Sequence, residues 1–252
     1  VEVFELPFMM TNAEATSKAY WEYVHTVAAD EFKDTQVIAL QVHGPGVIHT
    51  VEKPVKSVAD MKGLKMRAPT RQVTKLLGAL GAIPVGMPLP GIPDALSKGT
   101  INGAVIPWEV VPAVKVHELT KFHAEFDPAG GCLYTTTFVM AMNKAKYNSL
   151  PPDLKKIIDN NSGMEASAWL GKVQQEGDIP GRKSATDRNN SIFTVGPEEA
   201  QEFRRKSRAL EIEWIEDMNK RGFDGRKLID TARALIEKHT KVAAAKSPAK
   251  KA

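Results

Sequence analysis

Between residues 58 and 111 the hydrophobic and polar positions switch regularly between a period of two and a helical period. Leu64, Met66 and Ala68 alternate with Lys65 and Arg67, which predicts a half-buried strand. Gly63 supplies the turn before it, and Pro69 stops ladder pairing after it. Thr70 then caps a predicted helix on Val73, Leu76, Leu77 and Leu80, which Gly81 closes. Ile83 to Val85 is a second strand. Pro93 sits in the first turn of a second helix closed by Gly99, and Ile101 to Ile106 is a third strand before Pro107 and Trp108. Strands alternating with helices predict an open α/β sheet, which binds ligands beyond the carboxyl ends of its strands. Arg67 and Trp108 both fall at such ends.

The same reading extends outward. VEVFELPF at the start reads as a strand, and Thr11 or Asn12 caps a helix carrying Ala13, Tyr20, Tyr23, Val24 and Val27. Val37 to Val42 and Val47 to Val51 are strands around Gly44-Pro45-Gly46. Cys132 to Met142 has the β-branched and aromatic content of a central strand. Leu154, Ile157, Ile158, Trp169 and Val173 mark a long helical region, and Ile192 to Val195 a short strand. Pro197 to Arg221 is a helix with Phe203, Leu210, Trp214 and Met218 inward, and Leu228 to Ile236 lie on a last helix. The end of the chain is small, basic and proline-broken, which predicts disorder over 241–252.

Composition narrows the function classes. A chain of 252 residues, 42% hydrophobic and 25% charged, can bury a sizeable core in one or two domains. No run approaches the roughly 18 apolar residues of a membrane span. The single cysteine, Cys132, excludes an internal disulfide and reads as a small buried residue, not a nucleophile. A net charge of +4, partly from the tail, gives little reason to expect nucleic acid. Enzyme signatures fail on spacing. His117-Glu118 has its next histidine at His123, too far for the helical zinc motif; the glycines of Leu77 to Gly81 close a helix where a phosphate loop would open one; Ser184 and Ser191 lack the nucleophile elbow.

Met61 to Pro69 together with Gly81-Ala82-Ile83-Pro84, then Asn102-Gly103, Met142-Asn143-Lys144 and Ser149-Leu150-Pro151, follow one another in an order specific to a known family. Over nearly its whole length the chain resembles the substrate-binding proteins of tripartite ATP-independent periplasmic (TRAP) transporters, in which aspartate usually stands where this chain has Asn102. The resemblance implies an α/β fold of the periplasmic-binding-protein type, with two lobes joined by hinge strands and a long helix. It implies a periplasmic monomer, without cofactor, metal or nucleic acid, that encloses a small organic acid and delivers it to the membrane subunits of the transporter. The implied organisation is 1–56 as a remnant of the first lobe, 57–139 as the second lobe, and 140–240 as hinge strand, crossing helix and C-terminal helices. Family members begin with a signal peptide and an earlier strand-helix-strand portion. The resemblance therefore implies a first lobe that is incomplete here, with an exposed sheet edge and an uncovered apolar face.

Residue by residue, Arg67 read alone is an exposed strand arginine. The resemblance makes it the carboxylate anchor, for which a planar guanidinium fork is chemically apt. Trp108 is a core residue or a flat cleft wall with one donor. Pro69 and Pro107 flank the two strand ends, and the aliphatic Ile106 and Leu89, at positions where relatives differ, imply a less polar pocket. Some members place a second basic residue near Val47; His49 and His43 are its nearest substitutes, although turn histidines are commonly solvated. Two other classes stay open: an α/β enzyme acting on a small acid, and a nucleic-acid or anionic-surface binder using the basic tail.

Overall fold

The computed structural model describes residues 1–246 and contains two β-sheets of unequal size. In the smaller, β1 (Thr35–Val42) pairs antiparallel with β7 (Thr137–Asn143). The larger has six strands in the order β4 (Ile83–Gly86), β3 (Lys65–Ala68), β5 (Gly103–Pro107), β2 (Gly46–Thr50), β6 (Phe122–Glu125) and β8 (Ser191–Thr194). All of these run parallel except β2, which opposes both neighbours. The predicted β-α-β-α-β core is present, with α2 (Arg71–Ala79) capped by Thr70 and α3 (Ile92–Ser97) carrying proline in its first turn.

Helices cover both faces of the larger sheet. On one, α2 and α9 (Pro197–Lys220) close a core containing Met66, Leu76, Leu77, Val105 and Phe203. On the other, α3, α4 (Val116–Leu119) and α8 (Asp178–Thr186) enclose Val47, Ile92, Ile106, Trp108 and Ala185. A third core joins α1 (Ala13–Val27), β1 and α10 (Gly225–Lys246) through Tyr20, Leu40, Trp214 and Ile229. Because α9 places Phe203 and Leu210 in one core and Trp214 in another, it is the long helix that ties the two sheets together.

Several expectations are corrected. The segment at Val47 to Val51 was assigned to the first lobe, but β2 lies inside the larger sheet between β5 and β6, where Val47 and Ile48 each find a buried face. The chain thus leaves the smaller sheet for the larger at His43-Gly44-Pro45, ahead of residue 56. The predicted first strand is a 3-10 turn, Glu2–Glu5. A strand would send Phe4 and Glu5 to opposite faces. In the turn, Phe4 packs against Tyr20 (tilted) and Tyr23 (edge-on) at ring-centroid distances of 5.2 and 5.3 Å, while buried Glu5 accepts from the Thr137 N–H and Oγ1 at 3.0 and 2.8 Å. Cys132 to Thr136 makes no ladder, and the strand begins at Thr137. After α5 (Lys144–Asn148), the long helical region breaks into α6 (Pro152–Asn160), α7 (Met164–Glu176) and α8, with Gly163 at φ 106° making the first break. Helix α10 runs to Lys246, past the expected start of disorder at 241; residues 247–252 lie outside the described part.

The smaller sheet carries exposed apolar side chains on β7. Val139 and Met140 of β7 are 47% and 55% exposed. Met140, Ile157 and Trp169 line an apolar groove of about 810 Å³.

Candidate functional site

Two chain segments cross between the sheets side by side: His43-Gly44-Pro45, leaving β1 for β2, and Tyr134 to Thr136, leading into β7. They are laced together. The Gly46 N–H donates to Tyr134 O at 3.0 Å, Thr135 Oγ1 donates to His43 O at 2.9 Å, and Thr136 Oγ1 bonds His43 Nε2 at 3.0 Å. A Cβ on Gly46 would stand 2.0 Å from the Tyr134 ring, so only glycine lets the second crossing lie this close. His43 donates from Nδ1 to Gly44 O at 2.5 Å, leaving Nε2 as the acceptor.

Arg67 lies beside these crossings. Strand alternation puts it opposite Met66 and Ala68, and only 6% of it is exposed. Its Nε donates to Met87 O at 3.1 Å and its Nη1 to Val105 O at 3.2 Å. One Nη1 hydrogen and both on Nη2 remain. Among the described residues no carboxylate acts on Arg67; the ionisable neighbour is Tyr134, and burial lowers the guanidinium pKa. The Tyr134 hydroxyl is itself buried without a partner, and its pKa is raised by burial against the pull of Arg67. His43 is held neutral, pushed down to about 4 by burial, with Arg67 adding to the effect. The result is one buried cation without a counter-ion, with fork hydrogens to spare and within electrostatic range of one unpartnered hydroxyl. A buried charge in that condition is costly unless an anion meets it. Phe138, partly exposed and 6.1 Å from the His43 ring, adds an aromatic surface.

Trp108 and His49 belong elsewhere. His49 Nε2 donates to Ile106 O at 3.1 Å, so His49 Nδ1 accepts from His123 Nδ1 at 2.7 Å. His123 Nε2 then meets Asn190 Nδ2 at 3.0 Å. Burial pushes His49 well below its ordinary range and His123 to about 4, so both rings are neutral. His49 is completely buried with no nitrogen left for a ligand, which removes it as a contact and corrects the expectation of a solvated turn. The Trp108 indole packs 5.0 Å from each of these rings and donates to Glu125 Oε1 at 2.8 Å; Glu125 is in turn clasped by Arg182. It lines a groove of about 770 Å³ with Pro45, Val47, Asp178 and Arg182, and Arg67 is not among the lining residues. Asp178 in that groove accepts from the Glu109 N–H at 2.9 Å and is raised to about 7 by burial and by Glu109 and Glu125.

The remaining candidates divide similarly. Ile106 is buried in the core beneath β2, and its carbonyl serves His49. Pro107 ends β5 opposite Gly46. Pro69 and Leu89 are partly exposed, and Leu89 packs toward the core that holds Met87. Sequence reasoning missed Tyr134 and Phe138, whose signal was the crossing segment itself, and rated His43 only as a substitute base. Among the described residues no cluster of His, Cys, Asp and Glu is arranged to hold a metal, and no helix is long and apolar enough to cross a membrane.

Residues 1–217 match the family of bacterial extracellular solute-binding proteins, family 7 (DctP). The chain belongs to this family. It is therefore a solute-binding protein and not an enzyme, and its α/β architecture is that of the TRAP type. Among solved structures it is similar to a TRAP solute-binding protein from Rhodoferax ferrireducens T118 in complex with copurified benzoate, at 72% identity and a TM-score of 0.94, covering 96% of this chain and 75% of that one. A marine metagenome TRAP solute-binding protein specific for aromatic acid ligands, co-crystallised with 3-hydroxybenzoate, is 49% identical with a TM-score of 0.92, over 94% of this chain and 74% of that one. The 2,3-diketo-L-gulonate-binding periplasmic protein YiaO of Escherichia coli K12 is 29% identical over 66% of this chain. The chain spans 52% of the length of YiaO, about half.

Proposed function

We propose that this family 7 protein captures a small aromatic monocarboxylate in the periplasm, acting as a monomer, and delivers it to the membrane subunits of a TRAP transporter. The observation that carries this reading is Arg67, buried without a counter-ion and with its Nη fork free beside the unpartnered Tyr134 hydroxyl. A carboxylate seated there takes two charge-assisted bonds from the fork and one from Tyr134, and neutralises the charge that the fold leaves open. With His43 held neutral, Arg67 is the cation of this site, which suits a ligand carrying one negative charge. The aromatic body has Phe138 and the ring of His43 for contact. The benzoate and hydroxybenzoate of the similar structures fit that description.

Capture in this reading is a hinge motion. The crossings at His43-Gly44-Pro45 and Tyr134 to Thr136 are the flexible links between the sheets, and a ligand bonded to Arg67 on one side and walled by Phe138 on the other favours the closed arrangement. Calorimetric titration with benzoate tests it: saturable binding that is lost in Arg67→Ala supports the reading, and equal affinity in the two proteins overturns it.

A further inference from the structure

A second, positively charged groove, which Arg67 does not line, lies where α9 and α10 meet the segment from Leu6 to Phe8. Its volume is about 560 Å³, and Arg204, Arg205, Arg208, Arg226 and Arg233 line it around a single lining carboxylate, Glu211. Glu211 is already shared, accepting from Arg226 at 3.0 Å and from Arg233 at 3.1 Å. Arg205 is paired with Glu202 on its own helix. Arg204 and Arg208 meet no carboxylate among the described residues, and Arg208 is exposed. Five guanidinium groups thus face two carboxylates.

The floor of the groove is also constructed in an unusual way. Phe8 has φ 60°, a left-handed conformation that a bulky side chain rarely adopts. Its N–H donates to Cys132 O at 3.1 Å, and its ring lies 4.4 Å beneath the Arg204 guanidinium. A strained aromatic that holds an unneutralised arginine in place marks a surface organised for contact. Leu6 and Pro7 continue the apolar floor, and low-dielectric walls focus the field of the arginines into the concavity.

We propose that this groove is a docking site for an acidic polypeptide segment, whose carboxylates are forked by Arg204 and Arg208 while its backbone lies along the apolar floor. A concave seat suits a chain; a flat bilayer surface would meet only the rim. The position has a further consequence. Helix α9 is anchored in the core of each sheet, so a segment bound along it touches the element that joins the two lobes. The inference does not rest on the ligand reading, since no residue of this groove takes part in it.

Fluorescence anisotropy with a fluorescein-labelled octaglutamate peptide tests the site on the whole chain at low salt. The expected result is saturable binding that weakens as salt rises and falls by at least about tenfold in Arg204→Ala/Arg208→Ala. Arg208→Glu, an exposed helical position that cannot perturb the core, is expected to lose at least as much. Lys33→Ala/Lys146→Ala removes the same charge elsewhere and is expected to change affinity by less than about twofold. Equal losses in the two double variants reduce the effect to net charge and overturn the proposal. So does the absence of peptide binding, or binding of phosphatidylglycerol vesicles through the same arginines with none of the peptide.

Discussion

Two buried basic groups in the larger sheet have opposite fates. His49 and His123 form a closed chain, from Asn190 through both rings to Ile106 O, in which every ring nitrogen has a partner and no charge is present. Arg67, two strands away from His49 across the same sheet, is charged, meets only two carbonyls and lies within electrostatic range of an unpartnered hydroxyl. The first arrangement is complete without a ligand and specifies packing behind Trp108. The second is complete only when an anion arrives. Polar burial alone therefore does not mark a site; polar burial left open does.

The largest expected effect comes from breaking the closed group with acid. His43 and His123 titrate near 4 in the folded protein, and His49 is also depressed, whereas free histidine titrates near 6.5. Between about 4 and 6.5 the unfolded chain binds more protons than the folded one, so stability falls as pH drops through that window, by linkage on the order of several kcal/mol in total. Asp178 runs the other way. Raised to about 7, it destabilises the fold when ionised, and that cost fades as pH falls toward 3.8. Three histidines outweigh one aspartate, so melting temperature should drop between pH 6.5 and 4.5, and a flat or rising profile would contradict the neutral assignment.

Next comes the open group. Arg67→Lys keeps the charge but loses the fork and is expected to weaken benzoate binding by about 1.5–3 kcal/mol. Arg67→Met should abolish binding while raising the melting temperature of the ligand-free protein, because it removes a buried charge without a counter-ion. A fall in stability together with intact binding would show that Arg67 is structural. His49→Leu supplies the mirror image. It strands the His123 Nδ1–H and Ile106 O, at about 1–3 kcal/mol of stability for each stranded group, and should leave the benzoate bonds at Arg67 unaltered. Thermal melts and calorimetry on the same samples separate the two patterns.

How much of this was legible in the sequence follows from which contacts are local. The end of β3 could be read because alternation, Pro69 and the Thr70 cap lie within a few residues of Arg67. The insertion of β2 between β5 and β6 could not, since strand order depends on pairings across more than fifty positions, and with it went the partners of His49, which is 74 residues from His123. Trp108 was correctly placed after a strand end. Its indole nonetheless turns toward the histidines and Glu125, a choice made by the neighbouring strand β6 and by α8. The opening segment misled because its apolar residues suit a strand, while the packing of the Phe4 ring against α1 and the bond from Thr137 to Glu5 favour a turn. Nothing in the residues around Tyr134 announced that its hydroxyl would be left without a partner.

That hydroxyl gives the smallest and most discriminating test. In the ligand-free protein the Tyr134 Oη is buried and unbonded, so Tyr134→Phe removes a desolvated polar atom and keeps the ring that packs against Gly46 and His43. Stability should hold or rise slightly. If the hydroxyl donates to a carboxylate seated on Arg67, benzoate affinity should fall by about 0.5–1.5 kcal/mol, the worth of one hydrogen bond. The two readouts move in opposite directions only if the atom is reserved for a ligand. A variant that loses stability and keeps its affinity would mean that the hydroxyl is satisfied within the fold, and the open group at Arg67 would then be smaller than the geometry indicates.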